Sequence, residues 1–67
     1  MISVNGEHSE ARAGETVAQL LARLGVDGAP RGVAVAVDGE VVPRARWQDH
    51  QLRDGARVEV LTAMQGG

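Results

Sequence analysis

One helix laid across a mixed β-sheet of four to five strands, an α+β fold, is what this 67-residue sequence predicts. Two observations point there. Only one segment carries an apolar stripe at helical spacing: Val17, Leu20, Leu21 and Leu24 fall at i, i+3, i+4 and i+7. Two pairs, Asn5-Gly6 and Asp38-Gly39, each tolerate positive φ and sit between strand-like runs, so both read as two-residue hairpins. A lone helix must bury its stripe against a sheet. Two hairpins joined by a crossover through that helix make the sheet mixed, with the first and last strands adjacent and parallel.

Each element has its own signal. Ile2 and Val4 alternate with Ser3 and Asn5, the period of a half-buried strand. After the Asn5-Gly6 turn, Glu7 to Arg12 is polar and reads as an edge strand. Thr16 caps the helix, and Gln19 three residues on completes a capping box. Arg23 in the last turn suits the helix dipole. Gly25 stops the helix in a left-handed conformation, and Val26 folds back on Leu21. Asp27 to Arg31 is a loop. Val33 to Val37 is a strand, Glu40 to Val42 returns, and Pro43 ends the pairing. Arg44 to Arg53 is irregular, anchored by Trp47 and Leu52. Asp54-Gly55 turns the chain into a last strand from Arg57 to Ala63. The division is a folded domain over 1–63 and a flexible tail over 64–67.

Composition excludes several classes. There is no cysteine, hence no disulfide, no thiolate ligand and no thiol nucleophile. His8 and His50 are far apart, and no spacing suggests a metal site. The net charge of −2 and a single aromatic residue, Trp47, argue against nucleic acid. No apolar run is long enough to span a membrane, and Met1 to Val4 runs into a strand pattern rather than a leader. A cytoplasmic, soluble domain is expected. All seven basic residues are arginine, which GC-rich codon usage explains well; a protein with an activated acyl end would also gain from lacking ε-amines. No catalytic constellation is present. Asp49-His50 lacks a nucleophile and reads as a solvated loop pair, and no bound cofactor is implied.

Two places remain where chemistry could reside. Gly66 and Gly67 have no side chains, so a tail ending in them can thread a channel that any Cβ would block. An α-carboxylate there resists nucleophiles until a leaving group such as adenylate is attached. The second place is the sheet face away from the helix. Ala34, Ala36 and Leu61 fall in the register that the helix leaves uncovered, where polar residues would be the default. Met64, just before the tail glycines, completes the set of candidate partner contacts.

Taken in order, these pieces resemble the ubiquitin-like β-grasp superfamily, and within it the ThiS-type sulfur carriers of thiamin biosynthesis. The residues that carry this are Val4-Asn5-Gly6-Glu7, Thr16-Val17-Ala18-Gln19-Leu20-Leu21, Gly32-Val33-Ala34-Val35 and Asp38-Gly39-Glu40-Val41-Val42-Pro43-Arg44 followed by Trp47. Leu52-Arg53-Asp54-Gly55, Val58-Glu59-Val60 and Gly66-Gly67 complete it. Asp38 and Ala56 depart from the usual pattern, at turn level only. The resemblance implies a protein co-substrate rather than an enzyme. An adenylating, E1-like activating enzyme would use ATP on the Gly67 carboxylate. A sulfur relay beginning at a cysteine desulfurase would convert it to a thiocarboxylate. Thiazole synthase would then receive the sulfur. Three other readings share parts of the pattern: the sulfur-carrying small subunit of molybdopterin synthase, a ubiquitin-like modifier, and an interaction module whose tail is incidental.

Overall fold

The computed structural model describes residues 1–12, 14–26 and 32–62. Its elements run β1 (Ile2–Val4), β2 (Glu7–Ser9), α1 (Val17–Leu24), β3 (Val33–Val37), β4 (Glu40–Val41), a short 3-10 turn (Arg44–Arg46) and β5 (Arg57–Thr62). They build one five-stranded sheet in the order β2-β1-β5-β3-β4. β1 and β5 are parallel, and every other neighbouring pair is antiparallel. The α+β β-grasp arrangement is therefore present, with the first and last strands side by side.

Local chemistry explains the boundaries. Asn5 and Asp38 both adopt the left-handed region, at φ 51° and 52°, as the two hairpin turns demand. Thr16 Oγ1 accepts from the Gln19 N–H at 3.2 Å while Gln19 Oε1 accepts from the Thr16 N–H at 3.0 Å, a complete capping box. At the other end Gly25 sits at φ 82°, and the Val26 N–H reaches the Leu21 carbonyl at 3.0 Å. The return strand after the first turn is shorter than the sequence suggests. It ends at Ser9, because Ile2 is the last residue of β1 that can pair with it.

The core lies between α1 and one sheet face. It comprises Ile2, Val17, Leu20, Leu21, Val35, Val37, Val42, Leu52, Ala56 and Val58. One expectation fails here. Leu24, the fourth member of the helical stripe, is 43% exposed instead of facing the sheet. The helix ends at Leu24, and beyond the Gly25 cap Val26 packs against the core.

The segment between β4 and β5 has a role that its irregular sequence did not reveal. A helix leaves its first N–H groups without internal partners. Here the Val17 N–H donates to the His50 carbonyl at 2.9 Å and the Ala18 N–H to the Trp47 carbonyl at 3.0 Å. Trp47 is half-buried against the core, and its indole N–H donates to the Val42 carbonyl at 2.9 Å. The loop is thus the lid on the helix N-terminus, pinned by Trp47 and by buried Leu52.

Arg23 is also put to a different use from a dipole partner. Its Nε meets Glu15 Oε2 at 2.9 Å and its second guanidinium nitrogen meets Glu15 Oε1 at 3.1 Å. The same guanidinium reaches the Glu10 carbonyl at 2.9 Å. Glu15 is only 4% exposed, so this fork neutralises a buried charge and ties the segment before the helix to its last turn.

Two predictions follow from this packing. Leu20→Ala should cost about 3 kcal/mol in chemical denaturation, whereas Leu24→Ala should cost under about 1 kcal/mol, since only the first empties a packed site. Equal losses would contradict the packing. For the ion pair, the hydrogen bond from Arg23 holds the Glu15 carboxyl below its ordinary pKa despite burial that would raise it. A depressed folded-state pKa gives stability that is full above the unfolded carboxyl value and is lost as pH falls through the folded one. Arg23→Ala should therefore lower stability by about 2 kcal/mol near neutral pH. Glu15→Gln should flatten the acid limb of the melting curve against pH.

Candidate functional site

The uncovered face of the sheet is defined by alternation. Ile2, Val35, Val37 and Val58 point into the core, so Ser3, Ala34, Ala36, Arg57, Glu59 and Leu61 point the other way. Register then groups them. Ala34 lies opposite Leu61, and Ala36 lies between Glu59 on β5 and Val41 on β4. Ala34 is exposed and Ala36 is half-buried. Leu61 is 67% exposed and Val41 74%. The structure thus brings together three of the expected contacts, Ala34, Ala36 and Leu61, beside the end of β5 that leads to the tail. It adds Val41, which the sequence reading missed. A two-residue turn at Asp38-Gly39 places residues 36 and 41 opposite each other on the same face, so the turn itself held the signal.

Next to Leu61, a shallow depression is lined by Ser3, Asn5, Gly6, Arg57 and Glu59. Arg57 and Glu59 give this rim both charges around the apolar centre. Met64, Gly66 and Gly67, the remaining candidate residues, lie outside the described residues, as does Ala63.

Elsewhere, a half-open hollow of about 550 Å³ lies under the β4–β5 segment, lined by Asp38, Glu40, Arg46, Asp49, His50 and Arg53 among others. Its charges are mixed and face water. Among the described residues no three His, Cys, Asp or Glu side chains are grouped to hold a metal ion. Among them, too, no helix is long and apolar enough to cross a membrane.

A model of the ThiS family matches residues 2–67. This chain belongs to the ThiS family. It is 33% identical over 66 residues to the sulfur carrier protein ThiS of Escherichia coli (strain K12), covering 98% of this chain and 97% of that protein. The Thermus thermophilus sulfur carrier protein ThiS is 39% identical over 67 residues, covering both chains fully. A thiazole synthase of Paramagnetospirillum magneticum is 38% identical over 64 residues; the match takes in 96% of this chain but 19% of that one. The crystal structure of a thiamine biosynthesis protein ThiS from Geobacter metallireducens superposes with a TM-score of 0.77 at 35% identity, covering 98% of this chain and 97% of that one. The ThiS match extends through Gly66 and Gly67, so the family assignment includes the tail in sequence.

Because Leu61 is largely solvated, Leu61→Asp should leave stability within about 0.5 kcal/mol of the parent chain. A larger loss in denaturant titration would show that Leu61 packs into the fold and is not part of an open surface.

Proposed function

We propose that this ThiS-family chain carries sulfur for thiazole formation in thiamin biosynthesis, as a thiocarboxylate on Gly67. The observation that carries the reading is the family match running the length of the chain to the final glycine. The residues fit it chemically. With no cysteine in the chain, a carried sulfur atom has no side-chain thiol to occupy. A carboxylate offers an alternative once it is activated.

The steps balance simply. The Gly67 carboxylate attacks the α-phosphorus of ATP and releases pyrophosphate, giving an acyl adenylate. The terminal sulfur of a persulfide then adds to the glycyl carbonyl and expels AMP, leaving an acyl disulfide. A second thiol cleaves its S–S bond, releasing the thiocarboxylate and forming a disulfide between the two thiols. Gly66 and Gly67 keep that carbonyl free of neighbouring side chains. An adenylating enzyme of the E1-like kind supplies the ATP site, a cysteine desulfurase starts the sulfur relay, and thiazole synthase takes the sulfur. The protein itself is consumed and regenerated as co-substrate; it is not the catalyst. The need for ATP in the activation step supports a cytoplasmic location for this work. The apolar face of Ala34, Ala36, Val41 and Leu61 supports the partner side of this reading. It sits at the end of β5 nearest the tail, where an enzyme gripping the sheet would receive the tail as well.

The decisive experiment leaves the core alone. Gly66→Val adds a branched Cβ that narrows the backbone's options, and a one-alanine extension moves the carboxylate. Both variants should melt with the parent chain. Incubated with activating enzyme, ATP and a sulfur donor, the parent chain should gain the mass of an oxygen-to-sulfur exchange, and both variants should fail to. Sulfur acquisition by the extended chain at the parent rate would sink the mechanism.

A further inference from the structure

Asn5 does something that its place in a hairpin turn does not require. β1 stops at Val4, and its parallel register with β5 covers only Ser3↔Arg57 and Val4↔Val58. The Asn5 N–H closes that ladder on the Val58 carbonyl at 2.9 Å. One step further along β5 the side chain takes over. Asn5 Oδ1 accepts from the Val60 N–H at 2.8 Å, and Asn5 Nδ2 donates to the Val60 carbonyl at 3.1 Å. A carboxamide carries the donor and acceptor of a peptide group. The side chain therefore stands in for a peptide unit where the main chain has already turned away into Gly6.

Alternation along β5 sends the backbone groups of Val58, Val60 and Thr62 towards β1, and those of Arg57, Glu59 and Leu61 towards β3. The Asp38 N–H to Arg57 carbonyl bond, at 2.8 Å, fits that assignment. At the level of Thr62 the first hairpin has no strand left to offer. Among the described residues, Asn5 is thus the last group on this side to grip β5, and Val60 stands seven residues before Gly67.

Turn geometry alone does not account for an asparagine here. Asp38 has the same left-handed φ and also reaches β5, but its Oδ1 only accepts, from the Arg57 N–H at 2.9 Å. An aspartate meets that need. At position 5 the donor is used as well, and an aspartate would set an anionic oxygen against the Val60 carbonyl.

We infer that Asn5 is a positioning residue for the sulfur-carrying end: its carboxamide fixes β5 at Val60, seven residues before the Gly67 carboxylate. This rests on the carrier reading of Gly67. A carboxylate that must meet ATP inside another protein depends on alignment, and small misplacements lower rate more than binding.

Three variants separate this role from a structural one. Asn5→Gly keeps the left-handed turn and deletes the clamp. Asn5→Asp keeps the turn, replaces the donor with an acceptor oxygen and adds a negative charge facing the Val60 carbonyl. Asp38→Asn retains its acceptor and serves as the control. Amide hydrogen exchange at Val60 should be roughly tenfold faster in Asn5→Gly. In thiocarboxylate formation with activating enzyme, ATP and a sulfur donor, kcat should fall roughly threefold to tenfold in both Asn5 variants and KM should change less than kcat, because Ala34, Ala36, Val41 and Leu61 are untouched although Asn5 lines the depression beside Leu61. Asp38→Asn should match the parent chain. A parent-level kcat in both Asn5 variants would overturn the inference, as would a rise in KM alone or unaltered Val60 exchange. If the parent chain itself gained no sulfur, the carrier reading would fail and this inference with it.

Discussion

β5 enters the sheet between β1 and β3, and neither hairpin can complete its apolar face until it does. Val58 comes in at the centre of the core with no exposure at all. Its flanks are held by different devices. On one side Ser3 and Asn5 donate backbone N–H groups to the Ala56 and Val58 carbonyls. On the other, β3 pairs along the whole strand, from Val37↔Val58 to Val33↔Thr62. The two hairpin turns, formed early in the chain, both send side chains to the strand that arrives last. Pairing of β1 with β5 joins residues 54 positions apart, and pairing of β3 with β5 residues 21 to 29 apart, so the sheet depends on contacts of long loop length rather than on local propensity.

The helix depends on the rest in a similar way. At eight residues it is too short to persist alone in water. Its start is completed by carbonyls of the segment around Trp47 and His50, and its end by the Gly25–Val26 reversal. The Glu15–Arg23 fork then spans from the residue before the cap to the last turn. A buried carboxylate is costly unless its lone pairs are engaged. Here Arg12 N–H and both arms of Arg23 engage them. The helix is held at both ends by groups outside it, and its apolar face does the burying between.

The periodic and turn-forming parts of this molecule were legible in the sequence. Asn5-Gly6, Asp38-Gly39, the Thr16–Gln19 box and the Gly25 stop each act through a few neighbouring residues, so local reading suffices. β3 has the bounds that its short apolar run assigns it. What escaped is what depends on distant partners. Leu24 keeps the helical spacing yet lies outside the core, because spacing does not say where the facing sheet ends. Arg23 reads as a dipole partner until Glu15 is seen beside it. The loop from Arg44 to Arg53 has no periodicity, and the hydrogen bonds its carbonyls accept from the helix N–H groups are visible only in three dimensions. On the open face, Ala34, Ala36 and Leu61 could be named from register, while Val41 required pairing across the second turn. The expected end of β5 at Ala63 and the tail contacts Met64, Gly66 and Gly67 lie outside the described residues, and there the family match speaks through sequence alone.

The sheet has two faces, and α1 covers one of them. Among the described residues, the other face carries the apolar group of Ala34, Ala36, Val41 and Leu61. If, as proposed, an activating enzyme and thiazole synthase both grip this footprint, the two hosts exclude each other sterically. No ternary hand-off is then available on it, and the loaded protein must dissociate from one host before the next can hold it. Flux through such a relay is governed by off-rates and by the relative abundance of the hosts, so a grip that is too tight at either end would stall traffic as surely as one that is too weak.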